Sequence, residues 1–142
     1  MLFLSSSTPL FSGSIEPGDS VPAIRLSDKS TLPSKTDFPT IINFWSAQDA
    51  ASRLRNKEYS DLAAASGGRL NFVAICVDAD SGLAHEIMAI DGIDNGKAYY
   101  SEDIRKDALA DYQVASGCRS FLIDSYGRLQ AVNPETSTLH LI

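Results

Sequence analysis

Thr40-Ile-Ile-Asn-Phe-Trp45 runs directly into Ser46-Ala-Gln-Asp49-Ala-Ala-Ser52-Arg53. The first stretch is apolar, rich in β-branched and aromatic residues, and follows Pro39, which is the pattern of a buried strand. The second is polar and Ala-rich and opens a helical spacing carried on by Leu54, Tyr59, Leu62 and Ala63. Gly67-Gly68 supplies the stop expected after that helix. The apolar run Asn71-Phe-Val-Ala-Ile-Cys-Val-Asp78 is then a second strand, parallel to the first through a right-handed crossover.

Outward from this unit, Ile15 to Ser20 is a Pro- and Gly-containing entry. Val21-Pro-Ala-Ile-Arg-Leu26 is a short strand that Pro22 confines to an edge or a strand start. Asp28 to Phe38 is a polar loop. Downstream, Ser81 to Ile90 fits a helix with Leu83, Ile87 and Ile90 on one side, and Asp91 to Gly96 is a loop. Glu102 to Tyr112 makes a further amphipathic helix through Ile104, Ala108 and Leu109. Phe121–Ile123 and Leu129–Val132 form a β-hairpin around Asp124-Ser-Tyr-Gly127-Arg, with Gly127 where positive φ is favoured. A final helix is expected after the hairpin; with Pro134 and only a few residues left, it is either truncated or the native chain continues.

The chain has 142 residues and 44% hydrophobic content, which is one ordinary domain with a full core and no need of metal or disulfide staples. A net charge of -6 with 12 Lys and Arg argues against nucleic acid or an anionic membrane, since binding phosphates needs a basic patch. Cys76 and Cys118 allow one bridge or none and share no metal-type spacing with His85 and His140. No metal or other cofactor is expected. Residues 1–14 have an apolar flavour but no basic residue before Arg25, so as written they form neither a signal peptide nor a membrane span. They read as a disordered lead-in or the remainder of a truncated export segment.

The segment Asn43-Phe-Trp45 to Arg53 resembles the Asn-Phe-Trp-Ala-x-x-Cys-x-x-Cys-Arg motif of thioredoxin-like thiol-disulfide oxidoreductases of the TlpA/ResA type, related to the AhpC/TSA proteins. The resemblance extends over roughly residues 18 to 134. It includes Gly18, Pro22 and Leu26, matching "G-x-x-x-P-x-x-x-L", the Asn71 strand, and Phe121-Leu-Ile-Asp124-Ser-Tyr-Gly127, matching "FLID-x-x-G". It implies a three-layer α/β/α fold with a central mixed sheet over residues 15–142, with the TlpA/peroxiredoxin-type αβα insertion before the hairpin. It also implies export to the cell envelope or periplasm.

Under that alignment the two family cysteines fall on Asp49 and Ser52, and Cys118 stands where the family has a cis-proline. Asp49 is no nucleophile towards disulfides, and Ser52 has neither a thiol's acidity nor its redox couple, so dithiol exchange by the usual route is excluded. Peroxide reduction is excluded likewise, because the strand-to-helix region holds no cysteine. A carboxylate at a helix N-terminus is favoured by the same dipole that stabilises a thiolate. Ser46 and Asp49 therefore suggest a capping box, and the alternative for Asp49 is to bind a small ligand or a peptide end.

The peptide bond before Cys118 is expected to be trans, since a non-proline cis bond costs ~3 kcal/mol. Cys118 is either a small buried hydrophobe or, with Arg119 beside it, a low-pKa thiol. Cys76 reads as core. In the implied fold its strand is separated from the FLID strand by the Asn43 strand, so a Cys76–Cys118 bridge would have to cross ~9–10 Å. Trp45 either caps the core or offers an aromatic wall to a groove. Ser46, Ser52 and Ser116 lack a G-x-S-x-G context, and neither histidine has a placed partner for a triad.

Two functions follow. The first is a redox-inactive thioredoxin-like binding or accessory module, taking a protein or peptide on a face formed by Trp45, Asp49, Ser52 and Gly117 to Ser120. The second is a monothiol redox protein using Cys118, supported by Arg119.

Overall fold

A computed structural model describes residues 15–26, 28–93, 96–100, 103–104, 111–112 and 117–141, the last two for their backbone only after Leu139. The chain order is β1 (Ile24–Arg25), β2 (Thr31–Leu32), β3 (Thr40–Trp45), α1 (Ala50–Ala65), β4 (Asn71–Cys76), α2 (Ser81–Ile90), β5 (Lys97–Tyr100), β6 (Ser120–Ile123), β7 (Leu129–Val132) and a 3-10 helix at Thr136–Leu141. The five-stranded sheet has the order β5-β4-β3-β6-β7, with β1 and β2 forming a separate antiparallel pair. Strands β3, β4 and β5 run parallel, while β6 and β7 are antiparallel to their neighbours. This is the mixed-sheet α/β fold expected, with β3 at its centre.

Because side chains alternate along a strand, β3 feeds two cores. Ile42 and Phe44 join Ile75, Phe121, Ile123 and Tyr112 on one face. Ile41 and Trp45 join Phe72, Cys76, Leu122 and Tyr59 of α1 on the other. Tyr112 packs on Phe44 and Phe121 at ring separations of 5.3 and 5.0 Å, and its hydroxyl donates to the Pro22 carbonyl at 2.6 Å.

The helices follow their apolar spacing in part: Tyr59 and Ala63 of α1 are buried, and Leu62 and Ile87 pack against the core. Leu54 is 60% exposed, and α1 also buries Ser52, Asn56 and Ser60. The inward position between Ser52 and Tyr59 is Asn56 because Asn43 of β3 requires a polar partner there. On α2, Leu83 and Ile90 face outward and Ala84 is the buried residue. Small side chains on both helices let them lie close to the sheet.

The expected loop from Asp28 to Phe38 contains β2, which pairs with β1 through Ile24–Leu32 and Arg25–Thr31. Most of the expected Glu102–Tyr112 helix lies outside the described residues, as do residues 1–14. Gly127 has φ +83°, as the hairpin turn requires.

Candidate functional site

The parallel register sets Trp45 opposite Cys76, so the residues just beyond, Ser46 and Asp78, emerge together at one end of the sheet. Their side chains meet there: Ser46 Oγ donates to Asp78 Oδ2 at 2.5 Å, and the Ala47 N–H donates to Asp78 Oδ1 at 2.9 Å. The Asp78 carboxyl lies below the ordinary range. Burial opposes this shift, but the hydrogen bonds from Ser46 and Ala47 outweigh it. Asp78 was not singled out in the sequence, although the end of the Asn71 strand is where the parallel crossover brings a second chain segment beside Ser46.

Helix α1 starts at this same end. Asp49 is its N-cap, with extended backbone angles, and its Oδ1 accepts the N–H groups of Ala51 at 3.1 Å and Ser52 at 3.4 Å. The expected capping box is therefore displaced: Asp49 is the cap itself, and Ser46 accepts from the Gln48 N–H and reaches Asp78. Donors that could stabilise an anion at the helix start are turned onto the protein's own carboxylate.

Ser52 is fully buried. Its Oγ accepts from the Ser46 N–H at 3.2 Å and donates to the Asp49 carbonyl at 2.9 Å. Beneath it, Asn43 Nδ2 donates to the Ser52 carbonyl at 3.0 Å and to Asn56 Oδ1 at 2.7 Å. Asn43 Oδ1 and Asn56 Nδ2 are buried without protein partners. The strand-to-helix junction is thus held by buried polar groups as well as by packing.

Strand β6 is antiparallel to β3, with Ser120 opposite Asn43, and the Phe44 N–H donates to the Arg119 carbonyl at 2.9 Å. That pairing carries the loop Gly117–Arg119 to the start of α1. The bond into Cys118 is trans; the cis bond among the described residues is Leu32–Pro33. Gly117 has φ +141°, a conformation strained for any other residue. The guanidinium of Arg55 reaches across from α1 and donates to the Cys118 carbonyl at 3.3 Å. Arg55 is a loop anchor that the sequence pattern alone did not reveal.

Cys118 is half-buried and Cys76 is buried, and both are free thiols. The Cys118 thiol lies beside Ser52 and Asp49. Burial pushes its pKa up; the Ser52 hydroxyl pulls it down, and the carboxylates of Asp49 and Asp78 raise it further. Burial and the carboxylates run opposite in sign to the support expected from Arg119. Burial also raises the Cys76 thiol.

Trp45 is 0% exposed, under the surface rather than on it, so it cannot serve as a groove wall. Arg53, which the sequence aligned with the end of the motif, forms a bidentate ion pair with Asp91, Nε–Oδ2 2.8 Å and Nη2–Oδ1 2.7 Å, tying α1 to the end of α2. His85 is exposed and its Nδ1 lies 2.7 Å from the hydroxyl of Tyr100, which pairs with Cys76. The side chain of His140 lies outside the described residues. Among the described residues no three His, Cys, Asp or Glu side chains gather as metal ligands, and no helix is long and apolar enough to cross a membrane.

A central β3 leading into α1, a parallel β4, and an antiparallel β6–β7 hairpin whose entry loop returns to the α1 N-terminus define the architecture. The chain has a thioredoxin-like fold. A thioredoxin-like protein from Parabacteroides distasonis is 25% identical, with 89% of this chain and 93% of that one covered at a TM-score of 0.74. The thioredoxin domain of a thiol-disulfide oxidoreductase from Bacteroides vulgatus has the same fold at 16% identity, covering 90% and 95% of the two chains at a TM-score of 0.72. A thiol:disulfide interchange protein from Bacteroides sp. does so at 15% identity, covering 89% and 87% at a TM-score of 0.71. No protein-family model matches the sequence, and no curated protein matches it. This thioredoxin-like chain thus shares the fold of thiol-disulfide oxidoreductases, with Asp49, Ser52 and Cys118 brought together at the strand-to-helix end of its sheet.

Proposed function

We propose that this thioredoxin-like protein performs no dithiol exchange and acts as a binding or accessory module for a protein or peptide. The observation that carries the reading is the N-terminus of α1, where the Asp49 carboxylate takes the N–H groups of Ala51 and Ser52. Disulfide exchange needs a thiolate with a low pKa at such a position. Here the carboxylate fills that electrostatic role, and the nearest thiol, Cys118, has its pKa raised by burial and by Asp49 and Asp78. The same surroundings weigh against Cys118 as a monothiol nucleophile.

The ligand surface is the exposed edge of this cluster: Ser46, Ala47, Gln48 and Asp49 on one side, and Gly117, Cys118 and Arg119 on the other. An extended peptide laid there meets backbone groups of the Gly117–Arg119 loop and the acidic edge of Asp49 and Asp78. Peptides with basic side chains are therefore favoured. Trp45 supports this surface from below without touching the ligand.

Amide chemical-shift mapping with an unfolded, cysteine-free polypeptide rich in Lys and Arg tests the reading. Shifts confined to residues 46–49 and 117–119 support it. Their absence, or catalysed reduction of a disulfide substrate by the native chain, contradicts it.

A further inference from the structure

The inward face of α1 is polar along one line. Ser52, Asn56 and Ser60 stand about one helical turn apart and are all buried, so they stack against the sheet. Facing them are Asn43 of β3 and, in register with it, Ser120 of β6, both fully buried. Part of this seam is matched within the protein. Tyr59 Oη lies 3.0 Å from Ser120 Oγ and donates to the Pro134 carbonyl at 2.7 Å, while Asn133 Oδ1 accepts the Ser120 N–H at 2.9 Å. Asn43 Nδ2 directs its hydrogens to the Ser52 carbonyl and to Asn56 Oδ1.

The two amides are then left with one acceptor, Asn43 Oδ1, and one donor group, Asn56 Nδ2, that have no partner among the described residues and no access to bulk solvent. Exchanging the oxygen and nitrogen of either amide gives no relief. Turning Asn43 over would set its oxygen against the Ser52 carbonyl, and turning Asn56 over would set two amino groups against each other. We propose that the seam binds an internal water molecule, which donates a hydrogen to Asn43 Oδ1 and accepts one from Asn56 Nδ2. The two orphans are complementary to water, which is donor and acceptor at once. They also belong to side chains already joined by a 2.7 Å hydrogen bond, so they sit on neighbouring amides. An orphaned buried polar group carries its full desolvation cost, and internal water with polar partners removes that cost. The water makes Asn43 and Asn56 one satisfied unit between β3 and α1, and it is independent of whether a peptide binds at Asp49 and Cys118.

The test is a crystal structure of the full native chain, joined to magnetic relaxation dispersion of isotope-labelled water, which counts long-lived internal waters in solution. One ordered water is expected within about 3 Å of both Asn43 Oδ1 and Asn56 Nδ2. Asn56→Leu is expected to lose that molecule and lower the count by one; should this variant not fold, the native structure decides alone. Direct bonding of Asn43 Oδ1 or Asn56 Nδ2 to protein groups, the absence of a water that touches both, or an unchanged count in Asn56→Leu overturns the proposal.

Discussion

The Cys118 thiol stands beside the Asp49 carboxylate at the N-terminus of α1, so the group that caps the helix also disfavours ionisation of the nearest sulfur. One side chain therefore performs two tasks that a redox-active site would set against each other. The consequence is directly measurable. In a Cys76→Ser background, the alkylation rate of Cys118 is expected to rise with a midpoint above the ordinary thiol value of ~8.5. Asp49→Asn should lower that midpoint by removing the carboxylate, and Ser52→Ala should raise it by removing the favourable hydrogen bond.

The same shift gives a sign for stability. A thiol whose folded pKa exceeds its unfolded value contributes in full below ~8.5, and that contribution is lost as pH rises through the folded value. Denaturant midpoints of the native chain should therefore fall with alkaline pH more steeply than those of Cys118→Ala.

As a helix cap, Asp49 is expected to contribute about 1 kcal/mol, so Asp49→Ala should lose that much in urea unfolding while Asp49→Ser loses little. A loss shared equally by both variants would remove capping as the explanation.

Asn43 and Asn56 form a buried pair, and deleting one leaves the other without its partner. Asn43→Ala is expected to cost roughly 2–4 kcal/mol from the orphaned polar groups and the space left behind. Asn43→Ala/Asn56→Ala should cost less than the two single changes added together, which a double-mutant cycle measures.

Trp45 is the chain's one tryptophan and is wholly buried. Its emission should be blue-shifted and insensitive to iodide until the protein unfolds, and a ligand at Asp49 and Cys118 should leave the iodide quenching unchanged. Ready quenching in the native state would put the indole back on the surface.

The central frame was legible because its signals are local and strong. Thr40–Trp45 is an unbroken apolar run, Ser81–Ile90 has clear bounds, and Asp124 to Gly127 carries turn chemistry. Strands β2 and β5 were not legible in the same way. Thr31–Leu32 is too short to show a period, and Lys97-Ala-Tyr-Tyr100 has no β-branched residue and sits at a sheet edge. On α1 and α2 the apolar spacing marks the inward face in part: Tyr59, Leu62, Ala63 and Ile87 pack on the core, whereas Leu54, Leu83 and Ile90 face outward and Ser52, Asn56, Ser60 and Ala84 are buried. At the site, Asp49 and Ser52 were legible from the motif spacing. Asp78 and Arg55 were not, because each reaches the site through tertiary pairing rather than through a local pattern. Trp45 pointed the other way, a site candidate in sequence and core in the fold.

The most direct test of the central claim is insulin disulfide reduction in the presence of dithiothreitol, comparing the native chain with Asp49→Cys/Ser52→Cys. The native chain is expected to add nothing to the rate of dithiothreitol alone, and the double variant to accelerate it by restoring a thiol at the helix start. Acceleration by the native chain that disappears in Cys118→Ala would contradict the account and make Cys118 a working redox centre.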